Sequence, residues 1–136
     1  MTIYHTAHAR YNLWYHLAWA TKYRKKVFTQ TQTKERIKEI IRAIASHYGL
    51  TVGIIECLSD HIHLTVSAPP RIAPSRAAQI LKSLSTRMLL QEFPWLRKQH
   101  YWGGEVWAGG YFIRSIGEGI SKKQIEKYIL EQSEEN

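Results

Sequence analysis

Residues 61–68 alternate with a period of two. His61, His63, Thr65 and Ser67 fall on one side of an extended chain, and Ile62, Leu64, Val66 and Ala68 on the other. Successive side chains of a strand point to opposite faces, so this is a two-faced strand with its apolar side against a core. Any fold of the chain must cover that side and leave two imidazoles together on the other. Two readings of the pair are open here: a solvated strand face that carries histidines, or a clamp for one divalent metal. An isolated His-x-His lacks the longer spacing of the strong metal motifs and does not choose between them.

The rest of the chain supplies partners for this strand. Tyr11–Thr21 is aromatic and apolar and reads as a first strand. Thr29 and Gln32 have capping-box spacing, and Ile37, Ile40, Ile41, Ile44 and Tyr48 recur at helical spacing up to Gly49, a natural stop. Leu50–Leu58 reads as a second strand, joined through the Ser59-Asp60 turn to the His61 strand as a hairpin. Pro69-Pro70 ends that hairpin. Pro74 opens a second helix whose stripe is Ala77, Leu81, Leu84 and Met88, stopping before Pro94. Residues 95–110, with Trp95, Trp102, Trp107 and two Gly pairs, read as irregular. Tyr111–Ile116 is a fourth strand, Gly117-Glu118-Gly119 a flexible joint, and Ser121 with Gln124 a second capping-box pattern opening a last helix.

The order β-α-β-β-α-β-α begins with the split βαβ, ferredoxin-like arrangement: an α+β fold with one antiparallel sheet and two helices on one face. The 136 residues are expected to form a single domain, 1–136. The final helix is extra, and the sheet face left open for it is the one carrying His61 and His63.

Charge and cysteine content narrow the partners. Nineteen Lys and Arg against eleven Asp and Glu give a net charge of +8, which favours a polyanionic partner, most simply nucleic acid. Lys22, Arg24, Lys25 and Lys26 suit phosphate contacts, with Tyr23 among them for base stacking; a solvated basic loop is the level alternative. Arg71, Arg76, Lys82 and Arg87 fall on the polar side of the second helix, a weaker place for DNA contact. Cys57 stands alone, so no disulfide can form within the chain. No apolar run approaches the ~20 residues of a membrane span, and Met1–Arg10 has no apolar core of a secretory signal. The expectation is a soluble, cytoplasmic protein with no membrane partner.

The last helix can complete the histidine pair. Ile125 and Ile129 are four apart and form a narrow apolar stripe, while Tyr128 and Gln132 are stacked neighbours on its flank. Alone, Tyr128 would be one of eight tyrosines at a core edge and Gln132 a surface amide. Docked over His61 and His63, they make a site: two imidazoles and an amide oxygen around Mg²⁺ or Mn²⁺, nitrogen ligands leaning toward Mn²⁺, with a phenol one turn away. A cation of this kind polarises a phosphate oxygen, and a phenol of pKa about 10 needs that help to attack. A phosphotyrosine ester keeps the energy of the broken backbone bond. Rejoining then needs no nucleotide cofactor, in keeping with the lack of a Walker-type loop. Asp60, next to the first ligand, suits either a hydrogen bond that fixes the His61 tautomer or the turn itself. His16, in the first strand, suits either a place lining the site or, the favoured reading, a hydrogen-bonded structural role.

At these residues the chain resembles a known family. His61-Ile62-His63 is similar to the HUH signature, two histidines around a bulky apolar residue. Tyr128, in Ile125-Glu126-Lys127-Tyr128-Ile129-Leu130-Glu131-Gln132, resembles the single catalytic tyrosine of the transposases of small bacterial and archaeal insertion sequences. Tyr15–Arg24, Leu58–Leu64, Phe93–Leu96 and Val106–Phe112 extend the resemblance in order from about Tyr11 to Gln132, with Ser59 where many relatives are expected to have Pro. The resemblance implies cleavage of single-stranded DNA, with Tyr128 joined to the 5′ phosphate and a free 3′-OH released. It also implies recognition of hairpins, and a homodimer in which the tyrosine helix of one subunit can act in trans.

Rival classes leave more unexplained. A non-catalytic, RRM-like single-strand nucleic-acid-binding module accounts for fold and charge, but leaves the His/His/Tyr/Gln set a coincidence. A two-histidine phosphoesterase needs paired His-x-Thr/Ser motifs, and only His63-Leu64-Thr65 supplies one. A domesticated relative that nicks repeated hairpins shares the active-site residues and is not separable by them.

Overall fold

In a computed structural model, residues 3–100, 104–117 and 122–135 are described, with side chains at 3–99, 104–117 and 123–131. The elements are β1 (Tyr4–His5), β2 (Arg10–Tyr11), β3 (Trp14–Ala20), α1 (Thr31–His47), β4 (Thr51–Cys57), β5 (His61–Ser67), α2 (Pro74–Glu92), α3 (Trp95–His100), β6 (Phe112–Ile116) and α4 (Lys122–Glu135), with a short 3-10 turn at Lys22–Arg24. The main sheet runs β4-β5-β3-β6 with every pairing antiparallel. That is the ferredoxin-like arrangement expected from the element order.

The alternation along β5 sorts the sheet's faces as its sequence requires. Ile62, Leu64 and Val66 join Leu17 and Trp19 of β3 in the main core, beneath Ile37, Ile40, Ile41 and Ile44 of α1 and Ala77, Ala78 and Leu81 of α2. The opposite face carries His16, Ala18 and Ala20 of β3 beside the histidines of β5, and α4 lies across it. Trp14, Ile116, Ile125 and Ile129 form a second, smaller cluster there, with Tyr4 and Ile54 packed against it. The extra helix therefore docks on the histidine face through the stripe its sequence shows. Among the described residues, no helix is long and apolar enough to cross a membrane.

The helix ends follow the sequence pattern at some positions and depart from it at others. Gly49 has φ +75°, Leu50 N–H donates to Ala45 O at 2.8 Å and Gly49 N–H to Ser46 O at 3.3 Å, a Schellman closure of α1. Pro74 opens α2 as expected. The Thr29/Gln32 capping box is not formed: α1 starts at Thr31, Gln30 takes the cap position without a side-chain bond, and Thr33 Oγ1 donates to Gln30 O. The first long strand starts at Trp14, because Arg10–Tyr11 pairs instead with Tyr4–His5. Trp95–His100, expected to be irregular, is a short helix. Ser121 and Gly119 lie outside the described residues.

Candidate active site

Strand register brings the site together. Ala20 stands opposite His61, Ala18 opposite His63 and His16 opposite Thr65. Two alanines beside two imidazoles leave open volume, a cavity of about 480 Å³ lined by Ala18, Ala20, Arg24, His61, His63 and Phe112, among others. The His61 and His63 rings are 4.7 Å apart and steeply inclined. Tyr128 reaches over from α4, its ring 6.4 Å from both His63 and His16, and the residue is 48% exposed.

Each histidine has one nitrogen committed and one left over. Asp60 Oδ1 lies 2.6 Å from His61 Nδ1, and Arg24 Nε donates to Asp60 Oδ2 at 3.2 Å. The Nδ1–H tautomer of His61 fits this contact and frees Nε2 as a lone-pair donor. Burial alone would raise the Asp60 pKa, but the His61 hydrogen bond and the Arg24 charge together hold it below the usual carboxylate value. His63 Nδ1 lies 3.2 Å from His16 Nε2, while His63 Nε2 is buried with no hydrogen-bond partner among the described residues. An orphaned buried nitrogen is costly in a folded protein unless something outside the chain satisfies it. Burial first, then the charges of His61, His16 and Arg24, bring the His63 pKa down to about 4; burial and Arg114 lower that of His16. A divalent cation binds the neutral form of an imidazole, and the low pKa of His63 keeps that ring in this form.

The donor set thus fits a cation held by His61 and His63 and open elsewhere. Among the described residues, no three His, Cys, Asp or Glu side chains form a ready metal cage. The third ligand expected from the sequence, Gln132, lies in α4 one turn beyond Tyr128, but its side chain is outside the described residues.

The protein-family model described as "Transposase IS200 like" matches residues 9–132. The chain belongs to the IS200-like transposase family. It is 38% identical over 122 residues to the ISDra2 transposase TnpA of Deinococcus radiodurans, covering 90% of this chain and 85% of that protein. It is 33% identical over 130 residues to the transposase for insertion sequence element IS200 of Salmonella typhimurium, covering 96% and 83%. A crystal structure of a D. radiodurans protein superposes with TM-score 0.74 at 34% identity, over 95% of this chain and 97% of that one. A REP-associated tyrosine transposase bound to a REP hairpin shares the fold, with TM-score 0.56 at 13% identity over 95% and 68% of the two chains.

In this IS200-like transposase the basic loop is divided in its duties. Arg24 reaches the site through Asp60, whereas Lys22 Nζ is paired with Glu105 at 2.7 Å, an interaction that raises the lysine pKa and lowers that of the glutamate. Tyr23 is 71% exposed, and Lys26 is also exposed. Tyr23 and Arg24 have φ of 58° and 54°, a left-handed pair that costs non-glycine residues about 1–3 kcal/mol each. The ends of the turn are fastened: Thr21 N–H donates to Asp60 O at 2.8 Å, and Phe28 N–H to Ser59 O at 3.0 Å. Strain is thus held where the chain presents Arg24 to Asp60.

Phe112 and Lys82 join the site without a local signal for it, and His16 combines the two roles open to it in the sequence. His16 is hydrogen-bonded, as a structural histidine would be, and its partner is His63, so it also lines the site. Its signal was its place on the same strand face as Ala18 and Ala20. Phe112 contacts the His16 ring at 5.5 Å and lines the cavity. Lys82, read as a surface cation of α2, donates to Ala108 O at 2.7 Å and Gly110 O at 2.9 Å, and burial lowers its pKa. It anchors the loop that forms the cavity's far wall, helped by Trp107 Nε1 donating to Ser85 Oγ at 2.9 Å.

Proposed function

We propose that this transposase cuts and rejoins single-stranded DNA through a covalent tyrosine intermediate at the His61/His63/Tyr128 site. The observation that carries the reading is the convergence of an exposed tyrosine with two imidazoles, one of whose buried nitrogens has no hydrogen-bond partner among the described residues. Tyr128 Oη would form the new bond to phosphorus as the bond to the 3′ oxygen breaks. The phenolic proton is given up and the departing strand leaves as a 3′-OH, with the 5′ end held on Tyr128. Rejoining reverses these bonds with a different 3′-OH. His61, His63 and Gln132 would hold Mg²⁺ or Mn²⁺, which when bound supplies charge stabilisation at the phosphate. Asp60 fixes the His61 tautomer and His16 that of His63.

Single-stranded DNA with hairpins is the proposed partner, reached in the cytoplasm, with Lys22, Tyr23, Arg24, Lys25 and Lys26 along its path. Within one chain, α4 already brings Tyr128 to its own histidines. A homodimer that exchanges α4 would reuse the Ile125 and Ile129 contacts in trans.

The test is direct. Labelled single-stranded DNA carrying the flanks of the protein's own gene is incubated with Mn²⁺ or Mg²⁺, and a denaturant-resistant protein–DNA adduct is sought. The adduct is expected to vanish in Tyr128→Phe and to fall sharply in His61→Ala and His63→Ala. An undiminished adduct in Tyr128→Phe removes Tyr128 from the chemistry.

A further inference from the structure

β6 carries a feature that the chemistry above does not use. Phe112 is 52% exposed and Tyr111 43%, and both line the cavity that holds His61 and His63. Two large aromatic side chains in water at the mouth of a polar site lose the burial they would have in a core, and nothing in the fold requires them there. Phe112 pairs in register with Ala18 and Arg114 with His16, so Phe112 and Arg114 project from the same sheet face as the histidines. Arg114 is exposed and stands directly opposite His16 in the strand register. The ring of Phe112 meets His16 at 67°, an edge contact that leaves ring surface to solvent. Arg24 stands across the same cavity.

We propose that β6 is a track for one nucleotide next to the scissile phosphate. Phe112, with Tyr111 beside it, stacks on an unpaired base, and Arg114 contacts a neighbouring backbone phosphate. The inference rests on the reading that single-stranded DNA is the substrate. Residues two apart on a strand are about 7 Å apart on one face, close enough for a single nucleotide to touch both. Alternation of aromatic and cationic side chains is the arrangement by which proteins hold single strands without reading their sequence. β6 is also a sheet edge, where a second copy could pair. A copy paired along that edge would lie beside the strand, whereas Arg24 and Arg114 give the face itself a positive charge that a polyanion complements. Lys82 gives the track a fixed border, since it ties down the Ala108 and Gly110 carbonyls just before Tyr111.

Binding in the absence of metal separates this subsite from the cleavage chemistry. The full chain is titrated, in chelator, into a fluorescent oligothymidylate of ~15 nucleotides and into an abasic strand of equal length and charge. Phe112→Ala is expected to weaken oligothymidylate binding about tenfold and to leave abasic binding unchanged; Phe112→Trp restores it, and Phe112→Leu, equally apolar, does not. Arg114→Gln is expected to weaken both strands and to reduce the slope of log affinity against log salt by roughly 0.7. Equal losses on both strands in Phe112→Ala, or none, overturn the base shelf, and an unchanged salt slope in Arg114→Gln overturns the phosphate contact. A halved sedimentation mass in Phe112→Ala would make the residue a subunit contact and overturn the track. Failure of the wild-type chain to bind oligothymidylate would remove the single-strand reading as well, whereas wild-type binding untouched by these variants removes the subsite alone.

Discussion

Replacing Ile129 with alanine tests whether α4 is held on the sheet by its apolar stripe. Ile129 is fully buried, but in the four-residue cluster with Trp14, Ile116 and Ile125, apart from the main core. The substitution removes about three carbons, each worth about 0.8 kcal/mol of burial, or roughly 2.4 kcal/mol before any cavity term; measured Ile→Ala losses in cores run about 2–5 kcal/mol. With only Ile125 left on the helix side of the cluster, that loss falls on docking of α4 and not on the sheet. The docking equilibrium should shift about 50-fold toward the undocked helix. Native-state hydrogen exchange followed by mass spectrometry should show α4 amides losing protection by about that factor, with β3 and β5 amides unchanged. Adduct formation should fall in parallel, because Tyr128 rides on the same helix. Equal loss of protection in α4 and in β5 would refute the reasoning, since it would place Ile129 in the global core. Unchanged α4 protection would refute it from the other side.

Further expectations follow from the same contacts. Asp60→Asn removes the carboxylate that faces both His61 and Arg24, so Mn²⁺ affinity measured by isothermal titration should fall about 10- to 100-fold, and unchanged affinity would dismiss the carboxylate's role. His63 has a folded pKa of about 4 against ~6.5 unfolded, so the unfolded chain binds more protons between those values. Its contribution to the stability of the metal-free protein is therefore fully present above about pH 6.5 and is lost as pH falls toward 4. Urea midpoints across that range should slope downward with acid in the wild type and flatten in His63→Gln; identical slopes would contradict the assignment. A Cβ at Gly53 would lie 2.6 Å from Thr65 Oγ1, 3.1 Å from Glu126 Oε2 and 3.2 Å from the Trp14 ring, where α4 meets the sheet. Gly53→Ala should destabilise by about 1–3 kcal/mol in urea unfolding, and a neutral result would show that the seam yields freely.

What the sequence disclosed depended on whether the determining contacts are periodic or distant. The two faces of β5, the stripe of α1 and the Ile125/Ile129 pair of α4 are written in spacings of two, three and four residues, and all reappear in the packing. The capping box failed for a local reason. Thr29 to Thr33 is a run of polar residues in which several frames could supply a cap, and the choice goes to the frame that follows burial of Val27 and Phe28. The β1–β2 hairpin has no signal in the sequence, because its two-residue strands are too short to show a period. The His16–His63 contact spans 47 residues, and the Lys82 bonds to the 108–110 carbonyls span 26 and 28. No local pattern encodes such pairs; they exist only once the sheet order is known.

That order turns a readable motif into a site. β3 lies between β5 and β6, so its outward residues decide what surrounds the imidazoles. At Ala18 and Ala20 the side chains are small, which opens the cavity; at His16 the side chain is a ring that takes up His63 Nδ1 and leaves the buried Nε2 without a partner among the described residues. A larger residue at position 18 or 20 would fill the cavity while leaving the His61-Ile62-His63 motif and the Tyr128 helix intact in sequence. Possession of the histidine and tyrosine motifs is therefore not sufficient for the chemistry proposed. The plain middle strand, with no motif of its own, sets whether a phosphate can enter.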